Sequence, residues 1–254
     1  MEEPPRAALF PPMIANKADR RETGRYSLQR NVYLWEVQSM QDADMEELLI
    51  SLSDSTRREK ALMYRSAGDR IRSLCAGLLL QYACRQWKQE APHTGTCFLF
   101  PGINEILSAA GQNREFNYYF GKNGKPYLEN ENLFFSLSHS GSYVLCAVSE
   151  SEIGADIQEW KGIQPEKIAE RFFHEQEKSA IRTLPRERQA ACFYHMWTRK
   201  EAYGKLTGDG VVNAAGMNVL SEEMSNQVIW EEYPHMEDYS VSICYYSDRS
   251  KEQP

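Results

Sequence analysis

Trp197, Glu201 and Lys205 recur every four residues in the segment HMWTRKEAYGKLTGDG. This spacing places an aromatic ring, a carboxylate and an ammonium group along one side of a helix. Such a face could bind a metal ion and stabilise negative charge. It could equally be a solvated Glu–Lys pair beside a core tryptophan. We expect the helix to end at Gly208, because glycine accepts the left-handed backbone that ends a helix.

A second candidate for metal chemistry is Asp156, which lies between apolar residues in IGADIQEW, a run that predicts a β-strand. A carboxylate in such surroundings needs a hydrogen-bonded partner or a metal ion. In a strand, Gln158 points in the same direction as Asp156, so both would present oxygens to one site. These ligands suit Mg²⁺, with Glu201 as the second carboxylate. A strand-end aspartate bonded to backbone amides is the structural alternative.

Basic residues that could bind phosphate lie in the first half of the chain. Arg57 and Lys60 are three positions apart in STRREKALMY, which predicts a helix, while Lys125 and His139 come from the turn-rich middle. Taken singly, the basic pair is as well explained by a solvated helix face, and the histidine by a hydrogen bond to the backbone.

The elements that must position these residues alternate between strands and helices. Runs rich in β-branched and aromatic residues predict strands at VYLWEV, FFSLS, YVLCAVS, IGADIQ, QVIWEEY and YSVSICYYS. Helical periodicity predicts helices in MEELLISL, DRIRSLCAGLLLQYACRQW, EKIAERFF, EKSAIRTL and ACFYHMWTRKEAYGKLTG. Each half offers a strand, then helices, then further strands, so we expect an α+β protein of two similar units. The predicted division is a mobile tail over 1–25, an N-terminal subdomain over 26–150 and a C-terminal subdomain over 151–254.

Composition limits the class of protein. With 254 residues, of which 42% are hydrophobic, the chain can bury a real core. A formal charge of -7 argues against a general nucleic-acid-binding surface. The sequence has neither a membrane-spanning apolar run nor a signal peptide, and its six scattered cysteines are typical of reduced, buried residues. We therefore expect a cytoplasmic protein that binds neither membranes nor nucleic acids.

Four motifs in a fixed order are more specific than any one of these signals. The motifs GKPY, FSLSHSG, IGADIQ and FYHMWTRKEAYGK resemble those of the surfactin-type 4′-phosphopantetheinyl transferases. The signatures of that family are a GKP turn, an SHS segment, a G-x-D strand and a W-[ST]-x-K-E-[AS]-x-x-K helix. The likeness also includes STRREKALMY and IAERFFHEQE, and so covers roughly residues 30–205. It implies two similar α/β subdomains that form a pseudo-dimer, with the active site at their interface, in a monomeric enzyme.

The resemblance also implies an activity. Enzymes of this family transfer the 4′-phosphopantetheine arm of coenzyme A to a serine of an acyl or peptidyl carrier protein, and they release 3′,5′-ADP. The implied ligands of the metal ion, Mg²⁺ or Mn²⁺, are Asp156, Glu201 and Gln158. Glu201 would also act as the base or position a water that does so, and Lys205 would stabilise the departing phosphate. Asp156, Glu201 and Lys205 thus form the implied catalytic set. The implied coenzyme A-binding residues are Arg57, Lys60, Ser73, Lys125, Ser138, His139 and Lys205.

Two departures from the family pattern stand out. Many members carry Glu at the position of Gln158, and a neutral amide is a weaker ligand for a hard cation, so we expect lower metal affinity. An Asn is common at the position of Ser136, a change that we expect to matter less. Carrier docking is expected near Arg171, Phe172 and Phe173 or in the loop after Lys161.

Two alternatives to the transferase remain. One is a catalytically weak or silent relative that binds coenzyme A or a carrier protein. The other is a magnesium-dependent nucleotide phosphohydrolase, although the chain contains no GxxxxGK[ST] loop.

Overall fold

The computed structural model describes residues 28–40, 43–89, 94–111, 115–129, 131–161, 165–213, 216–233 and 236–247. The tail predicted for residues 1–25 lies outside this described part of the chain. The elements before residue 150 are β1 (Gln29–Glu36), α1 (Ala43–Leu52), α2 (Ser55–Leu62), α3 (Ala67–Gln89), β2 (Gly95–Leu99), α4 (Ile103–Ala110), β3 (Tyr118–Phe120), β4 (Pro126–Leu128), β5 (Phe134–Ser140) and β6 (Tyr143–Ser149). Those after it are β7 (Ile153–Glu159), α5 (Pro165–Phe172), α6 (Glu175–Arg182), α7 (Arg186–Thr207), α8 (Gly210–Asn213), α9 (Glu222–Gln227), β8 (Val228–Glu232) and β9 (Tyr239–Tyr246).

The protein is a mixed helix-and-sheet structure, which confirms the expected α+β class. Every strand and helix named from the sequence is present. The elements that were missed are β2, α4, α8, α9 and the two strands of the β3–β4 hairpin, of which only the turn was recognised. Strand β2 has a mostly half-buried pattern without alternation, so it lacks the period-two signal that identifies a strand.

Two larger sheets are built from strands on either side of residue 150. The first has the order β2-β1-β6-β5, in which β1 is parallel to β2 and the other pairs are antiparallel. The second has the order β7-β9-β8 and is antiparallel throughout. Strands β5 and β7 are therefore edge strands of different sheets, and they lie side by side.

Both faces of the first sheet are buried, because alternate residues of β1 and β6 point to opposite sides. One set packs on α3 and includes Tyr33, Trp35, Val144, Cys146 and Val148. The other set packs on β7 and β9, forming one cluster that contains Val32, Leu34, Leu145, Ala147, Ile153, Ala155, Ile157, Val241 and Ile243. A continuous apolar core therefore joins the two sheets.

Helix α7 lies directly against the second sheet. A Cβ atom at Gly154 would be 2.0 Å from the carbonyl oxygen of Ala202, so only glycine permits this approach. The hydroxyls of Thr198 and Ser242 are 2.8 Å apart and fix the helix on β9. The helix ends at Gly208, whose φ of 75° confirms the predicted left-handed cap.

Cysteine burial is one point on which the sequence-based expectation needs correction. Five of the cysteines are buried, but Cys97 on β2 is exposed, because it belongs to the edge strand of the first sheet. Within the described residues, no helix combines the length and apolar character needed to cross a membrane.

Candidate active site

Asp156 is at the centre of the site, on the buried face of β7 that looks towards α7. Its side chain is almost fully buried, and its Oδ1 accepts hydrogen bonds from Ser138 Oγ at 2.6 Å and Lys205 Nζ at 2.7 Å. Its Oδ2 is also buried but has no hydrogen-bond partner among the described residues. Side chains from β5 and α7 thus bind one carboxylate oxygen of Asp156, and the other oxygen has no partner among the described residues.

Glu201 and Lys205 face Asp156 from successive turns of α7. Burial and, after it, the negative charge of Asp156 raise the pKa of Glu201 to about 7, whereas Lys205 opposes the shift. Lys205 forms its ion pair with Asp156 across the helix–strand contact. The surface Glu–Lys pair considered from the spacing alone is therefore not the arrangement found. Trp197, one turn before Glu201, packs against Phe172 and Phe193 as a core residue.

The oxygen donors fit a hard divalent cation. An unpartnered buried carboxylate oxygen on Asp156 and a second carboxyl that the first one repels form a site that a cation would stabilise. Gln158 Nε2 donates to Ser140 Oγ at 3.2 Å, which leaves its Oε1 available as a ligand. Among the described residues, no three His, Cys, Asp or Glu side chains group closely enough to hold a metal.

Positive charge converges on the same place from the first half. The pKa of Lys60 is lowered by loss of solvent and by the positive charges of Arg57 and Lys205, although the residue itself is exposed. Burial, followed by the charges of Arg72 and Lys205, lowers the pKa of His139 to about 4. Cations that depress one another's pKa lie close together in a poorly solvated space, and such a space favours a polyanionic ligand such as a nucleotide phosphate.

Three of the implied coenzyme A-binding residues have other surroundings in this structure. Arg57 is buried, packs against Gly77, and interacts with Asp54 and Tyr118. Lys125 forms an ion pair with Glu152 and donates to the carbonyl oxygen of Leu206 at 2.7 Å.

The third of these residues is Ser73. It is buried on α3 without a hydrogen-bond partner for its hydroxyl in the described part of the chain. The roles of Arg57, Lys125 and Ser73 in ligand binding therefore stay predictions.

A cleft of about 440 Å³ opens beside the site and is lined by Arg72, Ser140, Gly141, Ser142, Gln158, Glu159 and Lys161. Arg72 donates to the carbonyl oxygen of Gly141 at 3.2 Å and also pairs with Asp69. A larger cleft of about 690 Å³, which includes Phe100 and Tyr233, contains none of the candidate residues. Of these two clefts, only the smaller is lined by a candidate site residue, Gln158.

The sequence analysis did not identify Ser140 as a residue next to this site. It noted Ser136 only as a departure that was expected to matter little. The available signal was the period-two placement of serine in FSLSHS, which puts three hydroxyls on one side of β5. The docking surface needs a correction as well. Phe173 is only 5% exposed and stacks on Phe193, so it belongs to the core and cannot contact a partner.

Comparison with known proteins shows which family this chain resembles. Residues 152–250 match the family described as the 4′-phosphopantetheinyl transferase superfamily. The resemblance to the surfactin-type enzymes that the four motifs indicated is confirmed, and the match covers Asp156, Glu201 and Lys205.

Named relatives extend the likeness. The chain is 48% identical over 90 residues to the 4′-phosphopantetheinyl transferase psf-1 of Bacillus pumilus, which is 35% of this chain and 38% of that protein. It is 34% identical over 118 residues to the 4′-phosphopantetheinyl transferase gsp of Aneurinibacillus migulanus, covering 46% and 49% of the two chains. A 4′-phosphopantetheinyl transferase of Bacillus subtilis is 29% identical over 170 residues, which is 66% of each chain. The chain spans less than half the length of the first two of these relatives.

Proposed function

We propose that this protein transfers the 4′-phosphopantetheine group of coenzyme A to a serine hydroxyl of an acyl or peptidyl carrier protein and releases 3′,5′-ADP. The observation that carries the proposal is the meeting of Asp156, Glu201 and Lys205 with the basic side chains of Lys60 and His139. The names of the relatives support the same activity. Two carboxylates opposite several cations suit a reaction that moves a phosphoryl group away from a nucleotide.

The two carboxylates hold the divalent cation, Mg²⁺ or Mn²⁺, and Gln158 contributes its amide oxygen. Such a cation, when bound, neutralises negative charge on the pyrophosphate of coenzyme A. Asp156 offers Oδ2, because Ser138 and Lys205 already occupy Oδ1. With one neutral ligand in the set, affinity for the metal is lower than with three carboxylates.

The protein side chains carry the proton and charge transfers. Glu201 accepts the proton of the carrier serine directly or through a water molecule. The serine oxygen forms a bond to the phosphorus atom that carries the pantetheine arm, and the bond from that phosphorus to the 3′,5′-ADP oxygen breaks. Lys205 and Lys60 stabilise the charge that develops on the departing phosphate.

The remaining coenzyme A contacts are also proposals. His139 is neutral at pH 7 and offers a ring N–H to phosphate, beside the hydroxyl of Ser138. Arg57, Ser73 and Lys125 complete the set by resemblance to the family. For Lys125 this requires a phosphate to compete with Glu152 for the ammonium group.

The fold proposal is a pseudo-dimer of subdomains 26–150 and 151–254 in a monomeric, cytoplasmic protein. It is supported by the two long helices, α3 with 23 residues and α7 with 22, each of which lies against the sheet of its own half. The site lies where β5 of one sheet meets β7 of the other, so both subdomains contribute to it.

Intact-protein mass spectrometry tests the reaction. Several apo-carrier proteins are incubated with the full chain, coenzyme A and Mg²⁺, and nucleotide products are followed in parallel. A phosphopantetheine-sized mass gain on a carrier, with equimolar 3′,5′-ADP, is the expected result. Free 3′,5′-ADP without a carrier would identify the nucleotide phosphohydrolase instead. Tight coenzyme A binding without any mass gain would identify the silent relative.

A further inference from the structure

The junction between β5 and β7 is held by side-chain hydroxyls. Both strands are sheet edges, and the edge of a sheet presents unpaired backbone N–H and C=O groups. Ser136, Ser138 and Ser140, at every second position of β5, each bond to β7. The two strands run in the same direction, because the bonded positions advance together along both.

Ser136 and Ser140 satisfy backbone groups of β7. Ser136 Oγ accepts from the Ala155 N–H at 3.0 Å and donates to the Ala155 carbonyl oxygen at 3.4 Å. Ser140 Oγ accepts from the Glu159 N–H at 3.0 Å. Removing such a hydroxyl would leave a backbone group of β7 without this partner, which is costly where the group is buried, as at Ala155. These two hydroxyls therefore fix the register of the junction at its two ends.

Ser138 lies midway between these two anchor points and bonds to the side chain of Asp156. Its Oγ donates to Oδ1 at 2.6 Å, while Lys205 Nζ contacts the same oxygen. The carboxylate is thereby held with Oδ2 free of protein donors among the described residues. A shift in the junction would move Ser138 away from Oδ1 and release the orientation of the carboxylate.

We propose that Ser136 and Ser140 are positioning residues for the metal site. They hold the β5–β7 register in which Ser138 binds Oδ1 of Asp156 and Oδ2 stays available to a divalent cation. The inference rests on the proposed function, because the cation site is part of it. It also gives Ser136, a departure from the family pattern, a definite role.

Direct binding of Mn²⁺ to the full chain, followed by electron paramagnetic resonance, tests the proposal. Ser136→Ala and Ser140→Ala should each weaken Mn²⁺ binding about 10-fold, the usual effect of losing a group that orients a metal ligand. Ser136→Asn, unlike Ser136→Ala, should keep the wild-type affinity for Mn²⁺, since an amide can both accept from and donate to the backbone of Ala155. Ser51→Ala is the matched control, because its hydroxyl bonds to the Leu48 carbonyl oxygen at 2.7 Å on the exposed face of α1.

A second measurement separates positioning from general damage. Calorimetric titration with 3′,5′-ADP in the absence of metal should give wild-type affinity for both alanine variants, because Lys60 and His139 do not depend on Oδ2. Wild-type Mn²⁺ affinity in Ser136→Ala would overturn the proposal. Equal losses of Mn²⁺ and nucleotide affinity in the alanine variants would also overturn it. So would a loss of Mn²⁺ affinity in Ser51→Ala as large as that in Ser136→Ala. Failure of the wild-type protein to modify any carrier, with the expected Mn²⁺ pattern intact, would count against the proposed function alone.

Discussion

At the scale of single residues, the site is a set of charges that are poorly balanced without a ligand. Asp156 has one buried oxygen without a partner, and the pKa of Glu201 is raised to about 7 by burial and by that neighbour. On the other side, burial and, after it, the charges of neighbouring cations lower the pKa values of Lys60 and His139. A bound metal cation would stabilise the carboxylates, and a bound phosphate would stabilise the basic side chains.

In metal-free protein, Glu201→Gln should therefore stabilise the fold as pH rises. The folded pKa of about 7 lies above the ordinary value of 4.5, so the stabilising contribution of the carboxyl is complete below 4.5 and is lost as pH rises through 7. At pH 8 the variant should gain about 2 kcal/mol, allowing for partial solvent screening. Melting curves with EDTA between pH 5 and 8 measure the difference. Glu187→Gln, an exposed position on the same helix, should show no such trend. A pH-independent effect of Glu201→Gln would contradict the assignment.

His139 should titrate with a midpoint near pH 4 in the ligand-free protein. Burial and the charges of Arg72 and Lys205 disfavour its protonated form. Lys205→Met removes one of these charges and should raise the midpoint, whereas Lys161→Met, on the far side of the cleft, should change it less. Histidine resonances in NMR spectra, assigned with a His139→Asn variant, report the titration. A midpoint near 6.5 would show that the ring is solvated and remote from the cations.

At the scale of elements, α7 brings Glu201 and Lys205 next to Asp156 because the helix is held unusually close to β7. Gly154 opens the space that the backbone of Ala202 occupies, and the buried ion pair of Lys200 with Glu177, at 3.0 Å, ties the helix to α6. Lys200 immediately precedes Glu201, so the same turn of helix is fixed on one side and carries the candidate catalytic carboxylate on the other.

Gly154→Ala should destabilise the protein by about 3 kcal/mol and lower activity, because the new methyl group forces α7 away from the sheet. Urea unfolding measures the loss. Gly216→Ala, where a Cβ has nothing within 4 Å, is the control and should be close to neutral. Equal stability of the two variants would mean that α7 does not pack as described.

Lys200→Met should cost about 3 kcal/mol or more, because it leaves the Glu177 carboxylate buried without its ion-pair partner. Lys178→Met, which removes a lysine paired with the exposed carboxylates of Glu170 and Glu175, should change stability much less. Unfolding free energies of the two variants give the comparison. A neutral Lys200→Met would show that the pair does not anchor α7.

Sequence alone predicted the elements that carry strong periodic or motif signals, and it missed what depends on contacts between elements. The i,i+4 spacing of Glu201 and Lys205 is a local property of one helix, so their shared face could be predicted from the sequence. The close approach at Gly154 and the serine bonds from β5 to β7 exist only after two distant segments meet. The exposed Lys60 could be placed near Lys205 only by the fold, and the burial of Phe173 only by its stacking on Phe193.

At the scale of the whole molecule, a chain of formal charge -7 concentrates several cations at one junction between its two sheets. The apolar core shared by the sheets holds that junction together, and the edge strands β5 and β7 bring the residues of the two halves into contact. In the proposed enzyme, the nucleotide phosphates lie against the basic residues of the first half, while the carboxylates of the second half act on the carrier serine.

The rate of carrier modification by Glu201→Gln, compared with Glu187→Gln under saturating coenzyme A and Mg²⁺, tests this account most directly. Loss of the general base and metal ligand should reduce kcat by about 100-fold or more, with carrier and variant both folded. Glu187→Gln should keep the wild-type rate. A Glu201→Gln variant that modifies carriers at the wild-type rate would contradict the central assignment of the catalytic carboxylate.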